Sequence, residues 1–204
     1  MESQMTVFRV NQGVMIGTTI PLDRFPTLIA EHVRRYPDTD RVERIGIGLA
    51  ADGFTTETVV EFVTEVCRWG GYAGIGGRVL RNNEPDVILR SLQEALDHLN
   101  EHPPRFSLAI ACVNRLYGLG SPSFASKHLR FLRPEICPVY DAVLRDALPY
   151  PFDPDGYEAF SQDCQTIAGY LREAQINPAP REDDGWYAAD VEAALFVHVN
   201  QWVA

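Results

Sequence analysis

The sequence predicts an all-α protein of about eight helices. Apolar residues recur mostly at helical spacing, and alternation with a period of two is rare. Glycine and proline clusters interrupt this pattern where short connections between helices are expected. With 204 residues, of which 46% are hydrophobic and 23% charged, the chain is able to bury a core as one domain over residues 1–204.

The first two helices are expected at about 23–36 and 55–69, and a capping box in the run Thr55-Thr56-Glu57-Thr58 opens the second one. Residues 46–53 are expected to form a loop. The stretch 70–77 is so rich in glycine that a flexible connection is expected there. The remaining helices are expected at about 84–101, 108–116, 122–132, 138–148, 155–174 and 186–203.

The acidic balance excludes a protein that coats nucleic acid. The formal charge is -10, whereas such proteins carry basic surfaces that neutralise phosphates. No apolar run approaches the roughly 20 residues that cross a bilayer, and the first residues do not resemble a signal peptide. We therefore expect a cytoplasmic protein without a membrane partner, associated with the nucleoid if the source is prokaryotic.

The segment from about 105 to 148 carries the strongest functional signal. Gly118, Leu119 and Gly120 form a short turn, after which Ser121 suits a helix cap and Pro122 a first helical residue. Free amides at such a helix start are able to bind a phosphate. The pattern indicates either an ordinary turn between helices or a site for the DNA backbone, to which Ser123 at the start of the same helix also belongs.

This segment resembles the helix-hairpin-helix DNA glycosylase superfamily, and most closely its 8-oxoguanine DNA glycosylase branch. The matching residues are Leu116-Tyr117-Gly118-Leu119-Gly120, the helical Ala125 and the run Pro138-Val139-Tyr140-Asp141, and the separation of 16 residues between Ala125 and Asp141 is the one expected. The resemblance implies a two-lobed helical bundle with a helix-hairpin-helix motif. It also implies an enzyme that flips a base out of double-stranded DNA and breaks its N-glycosidic bond.

The resemblance makes Asp141 the catalytic carboxylate, with a cap of the next helix as the alternative role. The chain departs from the family's pattern at the amine, because Ser123 stands at the lysine position and one residue is inserted before Ala125. Lys127, the only lysine, lies one turn after Ser123 on the same helix face. Lys127 is therefore a displaced nucleophile or a solvated surface residue, and in the latter case Asp141 works alone.

The base pocket is a further expectation. Arg81, Asn82 and Asn83 resemble the asparagine-rich turn that fills the gap left by a flipped base, although a polar helix entry explains them equally well. Trp69 and Tyr140 are candidates for a stacking wall, with core packing as the alternative. The histidines and the four cysteines lack metal or cluster spacing, so neither a metal nor a cofactor is expected and the cysteines are predicted to be buried free thiols.

Charge is distributed unevenly along the chain. Residues 105–148 contain six basic and three acidic side chains, so this stretch is +3 and the remainder is -13.

The predicted function is excision of an oxidised purine such as 8-oxoguanine, or of a hypermodified phage base. The protein is expected to be a monomer, and it also cleaves the DNA strand at the abasic site if a lysine attacks the sugar. The alternatives are a non-catalytic helix-hairpin-helix DNA-binding module and an acidic protein-interaction domain.

Overall fold

The computed structural model describes residues 8–10, 13–16, 18–119, 122–181 and 185–200. It confirms the all-α class. The described residues form ten α-helices, two more than expected. In chain order these are α1 (Phe25–Arg35), α2 (Thr39–Asp52), α3 (Thr56–Trp69), α4 (Ala73–Asn82), α5 (Pro85–Asn100), α6 (Phe106–Asn114), α7 (Pro122–Leu132), α8 (Ala142–Ala147), α9 (Pro154–Glu173) and α10 (Ala188–Asn200).

A small antiparallel sheet precedes the helices and was not predicted. Its strands are β1 (Phe8–Val10), β2 (Gly13–Ile16) and β3 (Thr18–Pro21), paired in the order β1-β2-β3. Val14 and Ile16 are buried while Met15 between them is exposed, which is the alternation of a strand with one face on the core. The strands have three or four residues each, too few for a clear period in the sequence.

Two expectations about glycine-rich stretches are wrong. The loop expected at residues 46–53 is mostly helix, because α2 runs through Gly46 and Gly48 to Asp52 and turns only at Gly53. The glycine-dense connection is confined to residues 70–72, after which α4 begins at Ala73. In both helices a glycine allows close packing, since a Cβ at Gly46 would lie 2.0 Å from the Phe131 carbonyl oxygen.

Helix α7 lies at the centre of the fold. It packs against α2, α3, α5 and α6, and all its residues from Phe124 to Leu132 are buried. Helix α10 packs against α1, α8 and α9. No helix in the described ranges has both the length and the apolar character needed to cross a membrane. The subdivision into two lobes stays a prediction.

A buried cluster of four charged residues, which form three ion pairs, joins α2, α7 and α10. Arg130 Nη1 lies 2.8 Å from Glu43 Oε2, and Glu43 also contacts Arg181, whose guanidinium donates to Asp190 at 2.6 and 3.0 Å. The side chains of Glu43, Arg130 and Asp190 are at most 8% exposed. Because each buried charge meets an opposite one, the cluster fixes the relative positions of three helices.

We expect Gly46→Ala to destabilise the protein by about 3 kcal/mol, because the added methyl group forces α2 away from α7. Gly48→Ala is the matched control. It lies two residues away in the same helix with nothing within 4 Å of its Cβ position, so the substitution should be neutral or stabilise by up to about 1 kcal/mol. Urea unfolding of both variants measures the difference, and equal effects would contradict the close helix contact.

Candidate active site

A cavity of about 190 Å³ opens between α1, α3, α7 and α10. It brings together Trp69, Lys127 and Asp141, three of the residues that the sequence selected. The full lining consists of His32, Tyr36, Trp69, Gly70, Gly71, Lys127, Val139, Asp141, Glu192 and Phe196. The cavity therefore combines an amine, two carboxyl groups and several aromatic rings.

Lys127 is buried beside the cavity. The residue is 6% exposed, so the interpretation as a solvated surface lysine is wrong. Its Nζ donates to Ser123 Oγ at 3.0 Å and lies 5.0 Å from the centre of the Phe124 ring. The amine thus reaches back one helical turn to the position that Ser123 occupies. Burial lowers the pKa of Lys127, an effect that the charges of Asp141 and Glu192 oppose.

Asp141 both caps a helix and faces the cavity. Its Oδ1 accepts hydrogen bonds from the amides of Val143 at 3.0 Å and Leu144 at 3.2 Å, which confirms the capping role at the start of α8. Both bonds use the same oxygen, and Oδ2 has no hydrogen-bond partner among the residues that the structure describes. The cap therefore holds the carboxylate in place and leaves one oxygen for a ligand.

Glu192 is a cavity residue that the sequence analysis missed. It is 4% exposed, and its Oε2 accepts the Val139 amide at 3.4 Å. Burial, together with the nearby Asp141 carboxylate, raises the pKa of Glu192 to about 8. One feature of the sequence could have indicated Glu192, because Asp190 and Glu192 are the two acidic residues in the otherwise apolar first part of α10.

Aromatic side chains form one wall of the cavity. The ring of Tyr36 lies 5.8 Å from that of Trp69 and 6.0 Å from that of Phe196, centre to centre. Trp69 is held in place by its Nε1, which donates to Thr39 Oγ1 at 2.9 Å. His32 stacks on Tyr36 at 4.8 Å, and burial lowers its pKa to about 4, so the imidazole is neutral at physiological pH. These rings suit a planar, uncharged ligand.

Tyr140 does not contribute to this wall. Its side chain is completely buried and packs against Phe152 and Phe160 on the far side of the backbone segment that carries Asp141. The hydroxyl donates to the Tyr150 carbonyl oxygen at 2.6 Å. The expectation that Tyr140 lines the base pocket is therefore corrected, because core packing and an internal hydrogen bond occupy its ring and its hydroxyl.

Asn82 and Asn83 lie at the end of α4, away from the cavity, and Asn83 contacts Tyr117 of the expected hairpin. Asn83 Nδ2 donates to the Tyr117 carbonyl at 2.9 Å, and Asn83 Oδ1 accepts the Tyr117 amide at 3.0 Å. Its amide group is thus occupied and is not free to fill a gap in DNA. Asn82 donates to the Arg78 carbonyl within its own helix, and Arg81 is exposed, so a gap-filling role for these two stays a prediction.

The hairpin is described up to Leu119, and the expected contacts of Gly120 and Ser121 lie outside the described residues. Gly118 has a φ of +86°, and a Cβ there would come within 2.9 Å of Arg78, which explains the need for glycine. Leu119 is buried, whereas Tyr117 is 71% exposed. DNA-backbone binding by Gly118, Leu119, Gly120, Ser121 and Ser123 stays a prediction.

All four cysteines are buried free thiols, as the spacing predicted, and burial raises the pKa of Cys67 to about 12. Within the described part of the chain, no group of three or more His, Cys, Asp or Glu side chains is arranged to hold a metal ion.

Comparison with known proteins gave no match to a family model, to a curated protein or to a solved structure.

We expect Asn83→Ala to lower the free energy of unfolding by about 1–2 kcal/mol, because it removes both hydrogen bonds to the Tyr117 backbone. Asn82→Ala is the neighbouring control and should change stability by less than about 0.5 kcal/mol, since its bond is local and exposed. Chemical unfolding of the two variants measures the difference. An Asn83→Ala protein as stable as the wild type would show that the hairpin does not need this brace.

Proposed function

We propose that this protein is a DNA glycosylase of the helix-hairpin-helix type, which flips a damaged or modified base into the cavity and breaks its N-glycosidic bond. The observation that carries the proposal is the meeting of Lys127 and Asp141 in one cavity. The resemblance selected Asp141 as the catalytic carboxylate and left Lys127 as a displaced amine. Their approach from separate segments is what such a site requires.

The remaining walls suit a flipped base. Tyr36, Trp69 and Phe196 offer flat apolar surfaces for stacking. The neutral His32 adds a fourth ring without a charge. The resemblance implies an oxidised purine such as 8-oxoguanine as the substrate, and a hypermodified phage base is the alternative substrate class.

The proposed reaction breaks the bond between the sugar C1′ and the base. The base leaves with the electron pair of that bond and takes up a proton, while positive charge develops on the sugar. The Asp141 carboxylate stabilises this charge through its free Oδ2. Either water or Lys127 Nζ then bonds to C1′, and in the second case opening of the sugar ring gives a Schiff base from which strand cleavage follows.

One feature favours approach to DNA despite the charge of -10. It is not the +3 of the stretch 105–148, because the five arginines of this stretch pair with carboxylates and Lys127 is buried. Tyr72 and Tyr117 are 67% and 71% exposed, and Tyr72 lies edge-on against Phe124, the ring next to the Lys127 amine. The exposed ring of Tyr72 near the Lys127 amine is suited to stacking with a base.

The helix cap made by Asp141 favours a second candidate, a non-catalytic helix-hairpin-helix module that binds DNA. A capping carboxylate has a structural reason to be present whether or not chemistry occurs. Such a module would bind duplex DNA with strong salt dependence and release no base. The two candidates differ in what happens when the carboxylate is neutralised.

We expect Asp141→Asn to lower base release about 100-fold or more, because the developing positive charge loses its carboxylate. Asparagine caps helices about as well as aspartate, so stability and duplex affinity should be retained. Mass spectrometry of free bases, released from DNAs carrying 8-oxoguanine or hypermodified bases, measures the activity. Duplex binding by the wild type without release of any base would favour the non-catalytic module.

We expect borohydride to trap a covalent adduct between the wild-type protein and substrate DNA, and Lys127→Met to abolish it. Lys127 is the only lysine, so peptide mapping assigns the adduct without ambiguity. Ser123→Ala is the matched control, since it removes the hydroxyl that Nζ contacts while keeping the amine. Base release without an adduct would instead support hydrolysis through Asp141 alone.

A further inference from the structure

Glu192 lacks the opposite charge that two other buried acids nearby possess. Its neighbours Glu43 and Asp190 pair with arginine, whereas no arginine or lysine lies within ion-pair distance of Glu192 among the described residues. Arg130, which faces Glu192 from α7, is engaged by Glu43 at 2.8 Å. A buried carboxyl group in this setting is favoured in its uncharged form.

The groups around Glu192 come from four segments. Lys127 and Arg130 face it from α7, Asp141 from the segment before α8, Cys164 from α9, Tyr36 from the end of α1, and Val139 through its backbone amide. Lys127 and Arg130 favour a charged Glu192, whereas Asp141 and burial oppose it. The balance raises the pKa of Glu192 to about 8.

The contact with Val139 connects Glu192 to the catalytic segment. Val139 lies two residues before Asp141, and its amide donates to Glu192 Oε2 at 3.4 Å. Downstream, the α8 cap fixes Asp141 Oδ1. The short segment that presents Asp141 is thus held on one side by Glu192 and on the other by the cap.

We propose that Glu192 is a positioning residue of this site, whose uncharged carboxyl group holds the Val139 amide and leaves Asp141 as the single carboxylate facing Lys127. This inference rests on the proposed glycosylase function. A second negative charge in the cavity would stabilise the Lys127 ammonium ion and so reduce the fraction of neutral amine that attacks the sugar. An uncharged Glu192 still binds the Val139 amide and does not stabilise the ammonium form of Lys127.

Two variants separate the positional from the electrostatic role. Glu192→Gln keeps an oxygen for the Val139 amide and cannot ionise, so its borohydride-trapping rate should match the wild type within about twofold at neutral pH. Above about pH 8 Glu192 of the wild type ionises and stabilises the ammonium form of Lys127, so the trapping rate of Glu192→Gln should then exceed that of the wild type by about threefold. Glu192→Leu removes the oxygen and should slow trapping about tenfold while duplex affinity is unchanged.

A spectroscopic measurement tests the inference without a substrate. The infrared difference between the wild type and Glu192→Gln should show a protonated carboxyl group at neutral pH that is lost through about pH 8. A carboxylate at neutral pH, or superimposable pH profiles for trapping, would overturn the proposal. These readouts do not need Glu192→Leu to fold. If the wild type releases no base from any DNA, the glycosylase function fails while the infrared result still decides the state of Glu192.

Discussion

The pairing of buried charges around Glu43 is the constraint on which the site depends. Two arginines, Arg130 and Arg181, and two carboxylates, Glu43 and Asp190, are removed from water together. Removing one member of such a set leaves an uncompensated charge, at a cost of about 3–5 kcal/mol. Since α2, α7 and α10 each contribute a member, the cluster also sets where the helices that carry Lys127 and Glu192 stand relative to each other.

Helix α10 shows how burial assigns different chemistry to similar side chains. Asp190 and Glu192 are two positions apart and both are buried. Asp190 accepts two hydrogen bonds from Arg181 and one from the Tyr187 amide at 2.9 Å, as a structural carboxylate does. Glu192 has no lysine or arginine within ion-pair distance among the described residues, and burial beside Asp141 raises its pKa to about 8. The difference arises from partners brought by other segments and not from the two residues themselves.

The sequence predicted the helical class and most helices well, because capping residues and prolines mark their ends. The run at Thr55 forms the expected capping box, with Thr58 as the reciprocal partner. Helices α2 and α4 were not predicted because glycine has a low helix propensity. In the structure, a glycine in each helix packs closely against Phe131 or Cys67, where a Cβ atom would be crowded. Propensity is a local property, and these contacts come from residues distant in the chain or from the preceding helix.

Within the site, Lys127 and Asp141 were found from a motif, but their surroundings were not. The role of Asn83 depends on Tyr117, which is 34 residues away, and the state of Glu192 depends on groups from four segments. Tyr140 stands in the motif itself, yet its ring packs against Phe152 and Phe160 and does not line the cavity. Tertiary contacts of this kind leave no trace in local spacing.

The burial of Lys127 leaves the surface of the protein without a lysine amine, since the chain has no other lysine. Every cationic side chain that meets solvent is therefore an arginine, apart from protonated histidines. Arginine binds a phosphate with a planar fork of donors, whereas lysine acts as a point charge. Contacts to a polyanion must then be directional, and reagents that acylate lysine would find no reactive ε-amine on the outside of the molecule.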